Sequence, residues 1–485
     1  MRKLVMAGAF LAGISAAAAC VGDDPIDVGG GDAGTSTSDG STPPPGDAQT
    51  DTSTAQDGST DGALPPPPAL KAVSVTTGST HSCALLVNGD VVCWGSNGNG
   101  ELGTPPGALP SSSVPVRVAL SSKAKSVSAG DKFTCAVLDT KAVACWGNND
   151  NAQLGRSPFA PVGDVRELVA PPTDSRGAWA PLTVSAGGAH ACVTSLGGPS
   201  ATVGKDINYS WCWGKNLFRQ LQRTSNGFPS AVPLLATSDG KDTDTFPQYI
   251  DRVVAGAEFS CSESFVPIPS GVFLRVPLCW GATGSNQIGK PLAAGSPLGA
   301  PSFGTDNFLT NPRLLSLGAE HACVVAANPA GGEAVYCWGR GTKRAIGSAT
   351  TTAADGKAVR LSTVDASKVT LMAAGGDTTC LVESGTLRCM GANTSGQLGN
   401  GTLDPKGHTD FTTVALPPTV SHLSVGSEHA CAVLGGAAGT PGEVRCWGSN
   451  RAGQLGDGLD LNAGYAGPAD QKYVRTTPVT VLAGK

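Results

Sequence analysis

Fourteen of the fifteen cysteines fall into seven pairs, and each pair sits in a copy of one short pattern. The first copy, residues 81–103, reads HSCALLVNGDVVCWGSNGNGELG, with Cys83 and Cys93 on either side of Asn88-Gly89. The others carry Cys135 and Cys145, Cys192 and Cys212, Cys261 and Cys279, Cys323 and Cys337, Cys380 and Cys389, and Cys431 and Cys446. A Trp-Gly follows the second cysteine at Trp94, Trp146, Trp213, Trp280, Trp338 and Trp447, with Met390 in the sixth copy. The intervals run from 52 residues, as from Trp94 to Trp146, to 67, as from Trp146 to Trp213. Self-similarity at this period, in short β-type runs, marks a repeat fold in which each copy is one supersecondary unit. It predicts an all-β, seven-bladed β-propeller with one blade per copy.

Each copy reads as four strands. Runs such as Ser126–Gly130 and Val184–Gly187 make the first, His/Phe-x-Cys-Ala-Val the second and x-Val-x-Cys-Trp-Gly the third. A fourth is clearest at Pro115-Val116-Arg117-Val118 and Pro478-Val479-Thr480-Val481. Blades packed on both faces explain why Ala, Val, Gly and Cys follow one another without alternating charges. Placing Cys83 opposite Cys93 leaves Val87-Asn88-Gly89 as the turn, and the same count leaves Asp139-Thr140-Lys141 in the second copy. In the sixth it leaves the two-residue turn Ser384-Gly385. The turn absorbs each change of length, so the cysteines stay opposed and within disulfide reach. A ten-residue loop closed this way contributes about 2–3 kcal/mol on the chain-entropy model.

A metal is the competing reading, because His81, His190, His321 and His429 each stand two residues before a cysteine. The same slot holds Phe133, Phe259 and Thr378 elsewhere. Phe and Thr do not replace a zinc-ligating imidazole, so packing is the expectation, with no metal and no cofactor. Cys-x-x-Cys redox spacing is absent.

The string His-x-Cys-Ala-Leu, Gly-x-Val-x-Cys-Trp-Gly-x-Asn, Gly-x-Leu-Gly stands at His81–Leu86, Gly89–Gly95, Asn97 and Gly100–Gly103. Gly-Gln-Leu-Gly itself stands at Gly396–Gly399 and Gly453–Gly456, with Ala152-Gln153-Leu154-Gly155 close to it. These motifs resemble the repeat of the regulator of chromosome condensation family over residues 72–485. The resemblance implies a seven-bladed propeller, and the cysteine pairs are similar to those of exported bacterial members. The founding member is a nucleotide exchange factor for a small GTPase and binds chromatin; a secreted bacterial member inhibits β-lactamases.

Compartment decides which of these properties is accessible. Arg2 and Lys3, the apolar run from Leu4 to Ile14, and Ala16–Ala19 read as a secretory signal over residues 1–20. A small-residue run ending at Cys20 resembles a bacterial lipoprotein signal, although Ala17 stands where that signal prefers Leu, and an ordinary cleavage site fits as well. Cys20 is the expected lipidation site. Residues 21–68 are Gly, Asp, Ser, Thr and Pro with hardly a large apolar side chain, the composition of a disordered tether. The paired cysteines suit an oxidising compartment. A net charge of −5 gives no basic footprint for nucleic acid.

A Gly-x-Ser-x-Gly elbow, a P-loop and a His-Glu-x-x-His helix are all missing, so no catalytic residue is assigned. The acidic residues Asp131, Glu258, Glu320, Asp377 and Glu428 recur in one repeat slot, which points to turns. Asp239–Asp244 faintly resembles a calcium loop without its ligand spacing. What differs between copies is insertions, at 156–179, 195–210, 217–249, 262–277 and 290–312, carrying Trp179, Tyr209, Phe218, Phe228, Phe246 and Tyr249. Variation on a repeat scaffold is where specificity resides. Phe218, Phe228 and Tyr249, on one face, are the candidate partner-binding residues. The expected protein is a lipid-anchored, monomeric envelope propeller over 69–485 that binds a protein or glycan; an enzyme acting on extracellular polysaccharide is the alternative. The ring is expected to close by the last strand, Pro478–Leu482, joining the blade of Cys83 and Cys93.

Overall fold

The computed structural model describes residues 68–158, 164–168, 179–200, 205–221, 229–235, 249–267, 273–291, 298–300, 302–303, 307–348, 357–435, 440–459 and 472–484. Residues 1–67, with Cys20, lie outside the described residues, as do Phe228, Phe246 and the stretch 239–244. Among the described residues no helix is long and apolar enough to cross a membrane.

The repeat is realised as seven antiparallel units. Unit 1 comprises Ser74–Thr77, His81–Leu85, Val91–Ser96 and Ser111–Arg117. The second and third strands of the others are Phe133–Leu138 and Val143–Gly147, His190–Ser200 and Lys205–Gly214, Phe259–Pro267 and Phe273–Gly281, His321–Ala327 and Glu333–Gly339, Thr378–Glu383 and Thr386–Asn393, and His429–Leu434 and Gly442–Ser449. In every unit the two cysteines are register partners and disulfide-bonded, with Cα atoms 4.0 to 4.1 Å apart. All fourteen are fully buried. The turns are those read from the sequence: Leu86 N–H bonds to the Asp90 carbonyl across residues 87–89, and Ser384 and Gly385 both take positive φ.

The glycine after each repeat Trp, or after Met390, has a specific task. All seven lie at φ between +97° and +114°. A Cβ on Gly95 would sit 2.5 Å from the Thr80 carbonyl oxygen, so the third strand can end beside its neighbour's turn only without a side chain.

Three kinds of bond join one unit to the next. Each Trp donates its indole N–H backwards: Trp146 to the Glu101 carbonyl, Trp213 to Gln153, Trp280 to Gln220, Trp338 to Gln287 and Trp447 to Gln397, at 2.7 to 2.9 Å. Trp94 donates to Gln454 of unit 7 at 2.8 Å. Met390 has no N–H, and there Thr379 Oγ1 donates to the Ala345 carbonyl at 3.1 Å. On the first strands, Thr76, Ser128, Ser185, Ser316 and Ser424 each accept an amide N–H from the following unit, the last from Thr77 of unit 1. The third bond belongs to the histidines. His81 Nε2 meets Thr134 Oγ1 at 2.8 Å, His190 meets Ser260 at 2.8 Å, His321 meets Thr379 at 2.9 Å and His429 meets Ser82 at 2.9 Å. The series therefore runs from unit 1 to unit 7 and back to unit 1.

Two expectations are corrected. Units 3 and 4 do not form separate sheets: a bridge between Asn208 and Ile250 merges them into one nine-stranded sheet. The last strand, Val474–Thr480, belongs to unit 7, with Cys446 opposite Val479. Unit 1 has no vacancy for it, because Ser111–Arg117 already covers that edge, with Cys93 opposite Val116. The exchange runs the other way. Lys71–Ala72 pairs with Glu443 and Gly442 of unit 7, Leu70 N–H bonds to the Val481 carbonyl and Ala483 N–H to Pro68. An otherwise open stretch of edge is thereby paired.

Candidate interaction surface

First strands end, and third strands end, on one side of the ring, since Phe259 pairs with Gly281 and His190 with Gly214. The first-to-second turns and the signature loops share that side; the second-to-third hairpin tips lie on the other. Seven first strands surround a cavity of about 330 Å³ lined by Thr76, Ser128, Ser185, Ser316 and Ser424 among small residues. Their hydroxyl oxygens are already spent on neighbouring amides.

The signature loop is a self-braced turn. Its Asn accepts the backbone N–H five residues on, as Asn97 from Leu102, Asn149 from Leu154, Asn216 from Leu221, Asn393 from Leu398 and Asn450 from Leu455. Its Gln, or Glu101, accepts the N–H two residues back. Its Leu is buried. Every signature residue is consumed in holding the turn, and the two residues after the Asn slot are what the turn displays. These are Gly98-Asn99, Asp150-Asn151, Leu217-Phe218, Gly284-Ser285, Thr342-Lys343, Thr394-Ser395 and Arg451-Ala452. Only unit 3 displays two large apolar side chains, with Leu217 61% and Phe218 44% exposed. Lys215 Nζ lies 5.6 Å from the Phe218 ring centroid and pairs with Glu258 at 2.6 Å. Arg219 follows at φ +64°, where the equivalent residue of units 1, 6 and 7 is Gly.

The other candidates separate. Tyr249 opens the first strand of unit 4, Tyr249–Ala255, whereas Lys215 reaches Glu258 just beyond that strand's far end. Seven residues of strand put roughly 20 Å between them. Phe218 and Tyr249 are thus on opposite sides of the ring and do not form one surface. Trp179 and Tyr209 pack against the core of units 2 and 3, with Trp179 edge-on to Trp211 at 6.1 Å. Leu217 was missed in the sequence, although its departure from the Gly, Ser, Thr and Asn of equivalent turns was the available signal.

The acidic residues sit in the first-to-second turns, but Asp131 is one position earlier than Glu258, Glu320, Asp377 and Glu428 relative to the His/Phe slot. Glu320 pairs with Arg340 at 2.7 Å. Burial, and then Glu258, push the Asp131 carboxyl up to about 6; burial also raises Asp377, which accepts from Thr342 at 3.3 Å. Among the described residues no three His, Cys, Asp or Glu side chains come together to hold a metal ion.

Residues 72–101 and 124–153 match one family model described as the regulator of chromosome condensation (RCC1) repeat, and residues 88–137 match a second. Residues 72–153 carry regulator of chromosome condensation repeats. Over 92 residues the chain is 38% identical to the RCC1 domain-containing protein RUG3, mitochondrial, of Arabidopsis thaliana, covering 18% of this chain and 21% of that protein. Over 85 residues it is 35% identical to the human regulator of chromosome condensation, covering 17% of this chain and 20% of that protein. The chain therefore matches about a fifth of the length of these relatives. Similarity of fold extends further. The structure of Prp20p from Saccharomyces cerevisiae, described with its binding to Gsp1p and histones, matches with a TM-score of 0.60 at 16% identity, covering 84% of this chain and 87% of that one. Human WBSCR16 matches with a TM-score of 0.58 at 20% identity, covering 81% and 93%. The repeat fold is a β-propeller.

Proposed function

We propose that this protein is a cell-envelope lipoprotein whose seven units are the blades of one propeller, and that the propeller binds a protein, or a glycan, through the side bearing Leu217 and Phe218. The observation that supports this most directly is the unit 3 turn. Its frame is fixed by Asn216 and Gln220, yet it places two apolar side chains in water beside a cation, at a slot that other units fill with small or polar residues. Exposed apolar groups on a rigid scaffold favour binding, because little side-chain and backbone freedom is lost on contact. The acidic residues support a binder over a polysaccharide-acting enzyme: they are spread around the ring by the repeat, and Glu258 and Glu320 are paired with Lys215 and Arg340. The buried disulfides suit an oxidising environment.

A soluble 68–485 fragment, retaining the Pro68 contact, is used to capture partners from envelope extract. Leu217→Ala with Phe218→Ala is expected to weaken the captured complex at least tenfold, about 1.4 kcal/mol, with melting nearly unchanged. Unchanged affinity argues against this surface. Anchoring is tested separately. Cys20→Ser is expected to release the protein from the membrane fraction while the propeller stays folded, since stable attachment needs more than one acyl chain. Wild-type protein found wholly soluble with an unmodified Cys20 rejects the lipoprotein reading.

A further inference from the structure

The four histidine contacts follow a rule that runs through the whole ring. A histidine occupies its slot where the next unit offers a hydroxyl, as in His81–Thr134, His190–Ser260, His321–Thr379 and His429–Ser82. Where the next unit has alanine the slot holds Phe133, Phe259 or Thr378, facing Ala191, Ala322 and Ala430 in sequence register. Unit 1 alone is latched on both sides, to unit 7 through Ser82 and to unit 2 through His81. It is also the unit at which the ring closes.

All four rings are fully buried, and Nδ1 has no partner in any of them. Ser82 donates its hydroxyl hydrogen to the Gln454 carbonyl at 3.0 Å and Thr379 donates to Ala345 at 3.1 Å. Each of these hydroxyls can then only accept from Nε2–H, so in the neutral rings of His429 and His321 the hydrogen sits on Nε2 and Nδ1 is bare. In all four, adding a proton buries a charge, and in His321 the new Nδ1–H finds no acceptor. In unit 1 that nitrogen lies against the Gly78 turn, where a Cβ would come within 2.6 Å of it.

We propose that these histidine–hydroxyl latches make the propeller acid-releasable, with unit 1 letting go of units 7 and 2 before the alanine-lined seams open. Charges around the latches oppose protonation. Lys215 faces His190, and the His81 ring faces His429, whose protonated form is favoured only by a bond to the His81 backbone. The turn carboxylates next in sequence point elsewhere: Glu320 pairs with Arg340, and Glu428 is exposed and accepts from Ser395. Disulfide sulfurs supply further wall, with Thr134 3.7 Å from Cys83 and Ser82 3.8 Å from Cys431.

Burial lowers His81 and His321 from 6.5 to about 4, and His190 and His429 to about 3. The sign follows. A folded-state value below the unfolded one means that stability is complete above pH 6.5 and is lost as pH falls from there towards 4 and 3. Asp131, raised to about 6, works in the opposite direction below that pH in the second unit's turn, and so does Asp377, also raised by burial, in the turn beside the His321 latch.

The test is hydrogen exchange on the full chain at pH 7 and pH 4.5, corrected for intrinsic rates. Opening of residues 74–96 is expected to rise roughly a hundredfold for each histidine released, while the seam between Phe133 and Ala191 changes far less. The double variant His429→Phe with Ser82→Ala copies that native seam into the closure, and is expected to remove the latch's share of the acid response between units 7 and 1, leaving that of His422, which accepts the Val75 N–H at 3.4 Å across the same seam and which burial lowers to about 4. Equal responses at latched and unlatched seams in the wild type overturn the proposal, and so does a variant that keeps its full response. Because the wild-type comparison stands alone, a variant that fails to fold leaves the test intact.

Discussion

Deleting residues 476–485 loosens unit 7 far more than unit 1, with hydrogen exchange rising in 420–449 beyond that in 74–96. The removed segment supplies the register partners of Arg445 and Cys446, and Val481, fully buried against Leu70, Val444, Trp94 and Leu455. Loss of Val481 burial alone costs about 1.5–3 kcal/mol. The outer edge of Gly442–Ser449 is then exposed, and Leu70 and Pro68 lose their bonds to Val481 and Ala483. Unit 1 keeps all four of its strands, though Trp94 loses a neighbour. Faster exchange in 74–96 than in 420–449 would place the closing strand on the wrong unit.

Trp146→Ala is expected to be the most damaging single change tried in a hairpin, lowering stability by about 3–5 kcal/mol through the cavity. The Trp146 ring is fully buried among Leu85, Leu102, Val118 and Leu138, residues of both unit 1 and unit 2. Its N–H also satisfies the Glu101 carbonyl at 2.8 Å, and an orphaned buried acceptor costs about 1–3 kcal/mol more. Trp146→Met imitates the sixth unit and should cost less, because a thioether fills irregular space. It is not neutral, since the thioether fills less space than the indole, although Thr134, placed like Thr379, can turn its hydroxyl to the Glu101 carbonyl as Thr379 does to Ala345 while still meeting its histidine. Urea midpoints of the two variants against wild type decide this. An alanine variant within about 1 kcal/mol of wild type would show that the seam is not held by the indole.

The signature of the repeat turns out to be architecture. Asn97, Glu101, Leu102 and Trp146 are one connected device: the Asn and the Glu brace the turn, the Leu anchors it and the next unit's Trp clamps its carbonyl. A residue that recurs in every unit performs a task needed in every unit. What is left for a partner is what a unit adds to the frame, and among the described turns Leu217-Phe218 is the addition with most apolar exposure.

Sequence alone determined the cysteine pairing, the turn residues and the repeat, because these depend on local register. Opposed positions on a hairpin are set by the length of its turn, and Val87-Asn88-Gly89 or Ser384-Gly385 fix that length within a few residues. The alternation of His with Ser or Thr and of Phe or Thr with Ala was also written in the chain. Its meaning needed the knowledge that the partner belongs to the next unit, some fifty residues on, and for His429 back at Ser82. Tertiary structure alone decided the closure and the two sides of the ring. Pro478–Leu482 has the same local pattern whichever edge it joins, and only the occupancy of the edge beside Cys93 by Ser111–Arg117 sends it to unit 7. Phe218 and Tyr249 lie close in sequence reckoning, yet a strand that crosses the ring between them holds them apart, since strand direction is set by hydrogen bonding to neighbours and not by the side chains at its ends.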